Sequence, residues 1–391
     1  MNDTSPLANV SARWIPDESL QEYLAWKFGD RTSEFFTPIC IIYTLIFTLG
    51  TGGNVLTCTV IARKRSLNHP INFYLFSLAV SDLMLLVLGM PLELYEMWSN
   101  YPFLFGRLGC YISTSLFETV CLASILNVNT LSFERYIAVM QPLRARSQGT
   151  RGRALRLIAA LWLAAAILSL PVTATHGLHV SSFPNGSRIE ESAVCTVVIP
   201  LWIYKSIMKA TALLFYVLPM FMLTILYCKM GFKLRGANVH KLLLKTQMQG
   251  SQGPYSVARS IHSPHHPVSK MLAVLVLVFG LCWAPFHIDR LFYSFVNTWT
   301  ESLAFYYNTL HVVSGVFFYL SSAVNPIIYN AFSTRFRAAF HELICRHECT
   351  RTSQLSRSSV YSLPIFPAKC IPTSHSLGTT DSSGNTHSSV L

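Results

Sequence analysis

Charge is scarce in this chain: Asp, Glu, Lys and Arg make up 12% of its 391 residues, against 51% hydrophobic residues. That balance excludes a string of soluble domains, which would need a charged, solvated surface. The first 34 residues hold no long apolar stretch behind a basic start, so no cleavable signal peptide is expected and the first span directs insertion. No segment repeats, which argues against a transporter built from two related halves. The loops offer no nucleophile-base constellation and no metal-ligand spacing, which excludes an enzyme; His262, His265 and His266 read as a solvated loop cluster beside prolines. Residues 302–332 contain no lysine, so the last apolar run cannot hold a retinal Schiff base.

What is present is apolar length. Uncharged or nearly uncharged runs occupy 36–62, 71–92, 108–133, 157–175, 210–228, 271–286 (with a more amphipathic continuation to about 296) and 302–332, seven of spanning length. The expected fold is an all-α membrane protein, a seven-helix transmembrane bundle over 36–331. A segment 1–35 precedes it, a short amphipathic eighth helix over 332–346 follows, and a disordered tail occupies 347–391. Arg63, Lys64, Arg65, Arg144, Arg146, Arg151, Arg153 and Arg156 fill the first two loops of one side, against Arg107, Arg188 and Lys205 on the other. Lys and Arg are retained in the cytoplasm, which places the N-terminus outside and the C-terminus inside, in the plasma membrane. The Asn-X-Ser/Thr acceptors Asn2, Asn9 and Asn185 all fall on the outer side.

The formal charge of +12 does not point to nucleic acid, because the basic residues gather beside the spans on the inner face, where anionic lipid and an acidic cytosolic partner lie. Of ten cysteines, only Cys110 and Cys195 face an oxidising compartment, which fits one disulfide. Cys345 and Cys349, inside the cell after the seventh span, suit acylation or remain free thiols. Ahead of the first span, Asp3, Asp17, Glu18, Glu22, Asp30 and Glu34 outnumber Arg13, Lys27 and Arg31, a balance that attracts a basic ligand. The third inner loop ends in the Gly-, Ser- and Pro-rich "GSQGPYSVARSIHSPHHP" and is expected to be mobile. In "FSTRFRAAFHELICRH", Phe332, Phe336, Phe340, Leu343 and Ile344 share one face of a helix expected on the inner leaflet. The Ser/Thr-rich tail is open to receptor kinases, and its final Ser389, Val390 and Leu391 fit the carboxylate-and-apolar pattern bound by PDZ domains.

Polar groups inside the spans are costly and mark function. Asp82, Asn54, Ser124, Ser322, Asn325 and Tyr329 lie at depths that allow one polar cluster, either around a sodium ion held by Asp82, Ser124, Ser322 and Asn325 or as a purely structural hydrogen-bond network. No cofactor is required. Pro219, Pro285 and Pro326 interrupt long apolar helices and create places to bend. Towards the outside, Glu93 and Glu118 place two carboxylates in a low-dielectric region. Their counter-charge is either a basic ligand or an internal partner such as Arg290 or His287.

In order along the chain stand "GGN", "SLAVSD", Cys110 with "ERY", Trp162, Pro219 with Tyr227, "FGLCWAP" and "NPIIY". Together they resemble the rhodopsin-like (class A) G-protein-coupled receptors over roughly residues 36–345. The resemblance implies that Arg135, beside Glu134, contacts the G protein's C-terminal helix, that Phe279, Trp283 and Pro285 relay motion of the sixth span, and that Tyr227 and Tyr329 swing towards Arg135. It also implies a Cys110–Cys195 disulfide and tail capture by arrestin. Phe117 stands where amine receptors of this class carry an aspartate, which disfavours a small amine.

More closely, the stretches 88–106, 116–126, 183–187, 282–292 and 311–330 resemble the neuromedin U receptors, nearer the second of the two subtypes. That family binds neuromedin U and neuromedin S, peptides with an amidated, arginine-containing C-terminus, and signals mainly through Gq-class proteins, also Gi, and calcium. The resemblance implies that the peptide arginines meet Glu93 and Glu118, with Tyr95, His287, Arg290, Phe292 and Tyr319 lining the rest. The competing readings are a receptor for another basic peptide of the ghrelin or neurotensin kind, and a transporter with an ion path at Asp82.

Two departures carry consequences. Residues 258–270 hold no Asp or Glu, so no acid of the sixth span locks Arg135 and basal signalling is expected. Pro264 and Pro267 place the start of the sixth helix at or after Pro267.

Overall fold

The computed structural model describes residues 17–29, 31–64, 67, 69–183, 187–249 and 265–344. Asn2, Asn9, Asn185, Cys345, Cys349, the 250–264 part of the loop between the fifth and sixth spans and the tail lie outside the described residues. Seven helices are long and apolar enough to cross a membrane: Phe36–Arg63, Pro70–Trp98, Gly106–Met140, Arg151–Thr173, Leu201–Gly236, Ser269–Phe295 and Glu301–Phe332. We number them as spans one to seven. Several outrun the apolar runs that announced them, the second ending at Trp98 rather than 92 and the fifth beginning at Leu201 rather than 210. Apolar composition marks only the hydrocarbon slab, whereas backbone hydrogen bonding continues the helix through the polar layers beyond it.

The bundle exposes apolar side chains outwards and draws its polar ones into an otherwise apolar core. Ile41, Leu45, Leu163, Ile167, Phe221, Leu277, Leu281 and Ile327 point outwards, while Asn54, Asp82, Ser124, Asn127 and Ser322 are buried. An aqueous protein would reverse this; lipid does not penalise exposed leucine, and polar groups must find partners within the bundle.

Helix ends follow local chemistry. Pro70 and Pro142 open their helices, where no backbone donor is missed. Thr150 and Thr300 cap the fourth and seventh, accepting from the N–H groups of Arg153 and Leu303, each at 3.3 Å. π-helical turns at Leu85–Gly89 and Leu213–Val217 each lie just ahead of a proline, Pro91 and Pro219. The extra residue in the turn absorbs the carbonyl that the proline cannot satisfy. The sixth helix begins at His265, two residues before the expected Pro267, which occupies the first turn, where a proline is tolerated. The fifth continues as helix to Gln249, into what reads as loop by composition.

Two elements were not announced by apolar runs. A helix, Asp17–Phe28, buries Leu24 and reaches a hairpin through Lys27, whose Nζ donates to Ser181 at 2.9 Å. That hairpin pairs β1, His176–His179, antiparallel with β2, Val194–Val197, with Leu178 opposite Cys195. Cys195 is disulfide-bonded to Cys110 at the start of the third span, Cα–Cα 5.5 Å. This gives the bundle a disulfide end and an opposite, Arg135 end. A C-terminal helix, Thr334–Ile344, buries Phe336, Ala339 and Phe340 against the core and exposes Arg335 and Arg337. Phe332 does not join that face: it closes the seventh span and is 42% exposed, because the chain turns at Ser333 between the two helices.

Candidate functional site

At the disulfide end the spans enclose a cavity of about 840 Å³, walled by the second, third, fifth, sixth and seventh helices and by the hairpin. Its floor is aromatic: Phe117 meets Phe318 at 5.5 Å between ring centroids and Phe286 at 6.2 Å, and Phe286 stacks on Phe318 at 4.8 Å. Beneath them Trp283 packs on Phe318 at 5.2 Å and on Phe279 at 4.7 Å, its indole N–H donating to Ser321 at 3.1 Å. The sixth and seventh helices thus share one aromatic stack from the cavity floor to the middle of the bundle.

The walls are acidic. Glu93 accepts a 2.6 Å hydrogen bond from the Tyr43 hydroxyl. The pair fits only because position 315 is glycine: a Cβ there would overlap the Tyr43 hydroxyl and lie 2.7 Å from Glu93 Oε1. Glu118, buried, is held by Arg290, which donates through Nη1 to Oε2 at 3.3 Å and through Nη2 to Oε1. The guanidinium also lies over the Phe286 ring, 4.3 Å from its centroid. Of the two internal partners left open by the sequence, Glu118 takes Arg290 and not His287. Further along the sixth helix Asp289, 5% exposed, takes His311 Nδ1 on Oδ2 at 3.0 Å, and its Oδ1 has no partner among the described residues. Glu96 faces the cavity one turn above Glu93.

The other expected residues divide. Tyr95 lines the cavity and donates to the carbonyl of Pro102 at 2.9 Å. Tyr319 lines it too, fully buried beside Gly89. His287 and Phe292 lie outside the lining: His287 stacks on Tyr216 at 4.5 Å and Phe292 on Tyr307 at 6.0 Å. Helical rotation explains both, since 287 and 292 project to either side of the face that carries Phe286, Asp289, Arg290 and Tyr293. Glu96, Asp289, His311, Tyr43 and Gly315 escaped the reading of the sequence. Glu96 had a signal, its three-residue spacing from Glu93 on one helix face; the others depend on which helices become neighbours.

Midway down, Asn325 Nδ2 donates to Asp82 Oδ2 at 2.8 Å, and Asn54 Nδ2 donates to the carbonyls of Gly50 and Ser322, each at 2.9 Å. Ser124 does not reach Asp82 here; its hydroxyl donates to Ser81 at 3.0 Å. The Trp162 indole N–H donates to Ser77 at 3.0 Å, fixing the fourth helix to the second. A hard cation would find oxygen ligands at Asp82, Ser322 and Asn325, with Ser124 joining after turning from Ser81.

At the opposite end, Tyr329 is fully buried against Phe336, with 5.7 Å between centroids, and Tyr227 and Ser132 share a 3.2 Å hydrogen bond. Glu134 does not pair with Arg135: its carboxylate accepts from Arg153 Nη2 at 2.8 Å. Arg135 is 8% exposed, and its Nε has no partner among the described residues.

An open pore needs a polar path between the two ends, and here Phe117, Phe286, Phe318 and Trp283 close it. A cavity at one end, an aromatic stack beneath it reaching the middle of the bundle, and a buried arginine at the other end fit the layout of a receptor. Sequence comparison agrees: residues 53–329 match the family described as 7 transmembrane receptor (rhodopsin family). The chain is 53% identical over 341 residues to neuromedin-U receptor 2 of Mus musculus, covering 85% of this chain and 83% of that one. It is 53% identical to neuromedin-U receptor 2 of Homo sapiens (83% and 76% covered) and 47% identical to human neuromedin-U receptor 1 (88% and 81%). The chain belongs to the neuromedin U receptor family, a multi-pass membrane protein and not an enzyme.

Proposed function

We infer that this chain is a receptor for amidated basic peptides of the neuromedin U and neuromedin S type, with its disulfide end and N-terminus outside the cell. Binding at that end is relayed to a heterotrimeric G protein, of the Gq class and also Gi, that meets Arg135 inside. The observation that carries the ligand class is an unbalanced cavity. Glu93, Glu96, Glu118 and Asp289 face one guanidinium, Arg290, and two imidazoles, His176 and His311. Since Arg290 already neutralises Glu118, the peptide's arginines are better served by Glu93, Glu96 and the free oxygen of Asp289. Guanidinium groups fit this wall because each can donate in parallel to one carboxylate.

The basic loops beside the Arg135 end support the orientation. Sodium bound at Asp82, Ser124, Ser322 and Asn325 would hold the sixth and seventh helices in their unliganded arrangement. The tail serves receptor kinases and arrestin, and its last three residues suit a PDZ domain.

The test is intracellular calcium in cells expressing the full chain, titrated with amidated neuromedin U and with its free acid. Glu96→Gln is expected to weaken the amide about 10-fold or more, as loss of one charge-assisted hydrogen bond does. Replacing sodium by choline in the same titration raises agonist potency in the wild type and leaves Asp82→Asn unmoved. Full response to the free acid, or an unshifted Glu96→Gln, overturns the ligand assignment.

A further inference from the structure

Arg135 is buried at 8% exposure, makes no ion pair among the described residues, and leaves its Nε without a partner. A guanidinium so placed draws any carboxylate within reach. Two candidate sources stand out. One is a neighbouring helix, and the sequence removes it: no Asp or Glu occurs between Glu191 and Asp289, a stretch that covers the whole fifth helix, the third loop and the adjoining half of the sixth. The other is Glu134, and the fourth helix removes that. Arg153 Nη2 donates to Glu134 Oε1 at 2.8 Å, with side chains 33% and 19% exposed. Arg153 is well placed to do this because it sits in the first turn of its helix, where its backbone N–H is taken by the Thr150 cap at 3.3 Å. A carboxylate engaged by a fixed guanidinium is less able to follow its flexible neighbour.

We propose that Arg153 is a positioning residue that sets agonist-independent signalling: it draws Glu134 away from Arg135, so that Arg135 stays open to a carbonyl or carboxylate presented by the G protein. The resting receptor is held by packing of the aromatic column and not by an ionic latch. Its basal output is then controlled from the start of the fourth helix, at the end of the bundle opposite the ligand cavity.

The experiment is nucleotide loading of a co-expressed Gα subunit in membranes, without agonist, at matched surface density of the full chain. Wild type is expected above vector-only membranes. Arg153→Gln is expected to lower the basal rate about two- to five-fold, the factor a partly exposed ion pair commands, while Arg153→Lys retains most of it. Agonist affinity in Arg153→Gln stays at the wild-type value, which a general loss of structure would not allow. In a Glu134→Gln background, Arg153→Gln has no further effect, because no carboxylate is left to be redirected. The proposal is overturned by a wild-type rate at vector level, by an Arg153→Gln rate equal to or above wild type, or by the same fall in the Glu134→Gln background, which would mean that Arg153 touches the G protein directly. Should Arg153→Gln be retained inside the cell, Glu134→Gln alone decides: a fall in its basal rate overturns the proposal.

Discussion

Gly315 shows how one absent methyl group shapes the binding wall. Tyr43 and Glu93 meet across it at 2.6 Å, from the first and second helices against the seventh. Gly315→Ala would push the carboxylate out of line with an incoming guanidinium. A hydrogen bond to a charged group is worth about 1.5–3 kcal/mol, so agonist potency is expected to fall roughly 10- to 100-fold at unchanged surface density. Tyr43→Phe removes the same bond without the overlap and should fall at the mild end of that range. A calcium titration on both variants checks this, and wild-type potency for Gly315→Ala would mean that Glu93 does not contact the ligand.

The hairpin is the element most open to pH. His176, at the start of β1, bonds Thr175 Oγ1 at 2.8 Å and the Val172 carbonyl at 3.1 Å through Nδ1, and packs on the edge of Tyr204. Burial holds its imidazole below the usual histidine range. The unfolded or undocked hairpin binds a proton more readily, so stability present above about pH 6.5 is lost as pH falls towards the lower folded value. Thermal unfolding of the purified receptor should therefore drop on acidification from pH 7 to 5. His176→Gln should flatten that response. The hairpin also shows where reading by composition stops, since its two four-residue strands are too short to announce themselves and are fixed by register and by Cys195. The spans, in contrast, were legible because lipid imposes both length and composition on them.

Across the whole molecule, the Glu118–Arg290 pair ties the third helix to the sixth over 172 residues of sequence. Removing one partner leaves a buried charge unpaired, at a cost of about 3–5 kcal/mol. Glu118→Gln and Arg290→Gln are each expected to lose surface expression and thermal stability before they lose affinity in any interpretable way. Glu118→Met with Arg290→Met should recover much of the stability and little of the signalling. Thermal stability of the three variants in detergent measures this, and a single variant as stable as wild type would show the pair to be solvent-relieved. The consequence for function is that Glu118 is part of the wall's framework, and the acids left for a ligand are its neighbours.

The sequence by itself determined seven spans, their inward-facing polar residues, the proline positions and, through shared motifs, the receptor class. These follow from one-dimensional rules: a bilayer demands about twenty apolar residues per helix, and a proline removes a donor wherever it stands. Which polar group meets which was settled by the packing of the helices. Glu93 found Tyr43, Asp289 found His311 and Glu134 found Arg153, and of the two internal partners the sequence offered Glu118 it was Arg290 that met it. His311 lies 22 residues beyond Asp289, across the sixth-to-seventh turn. Pairing energies depend on distances of a few ångströms between side chains of different helices, and those distances are fixed by how the helices pack and rotate, a property that no single span encodes.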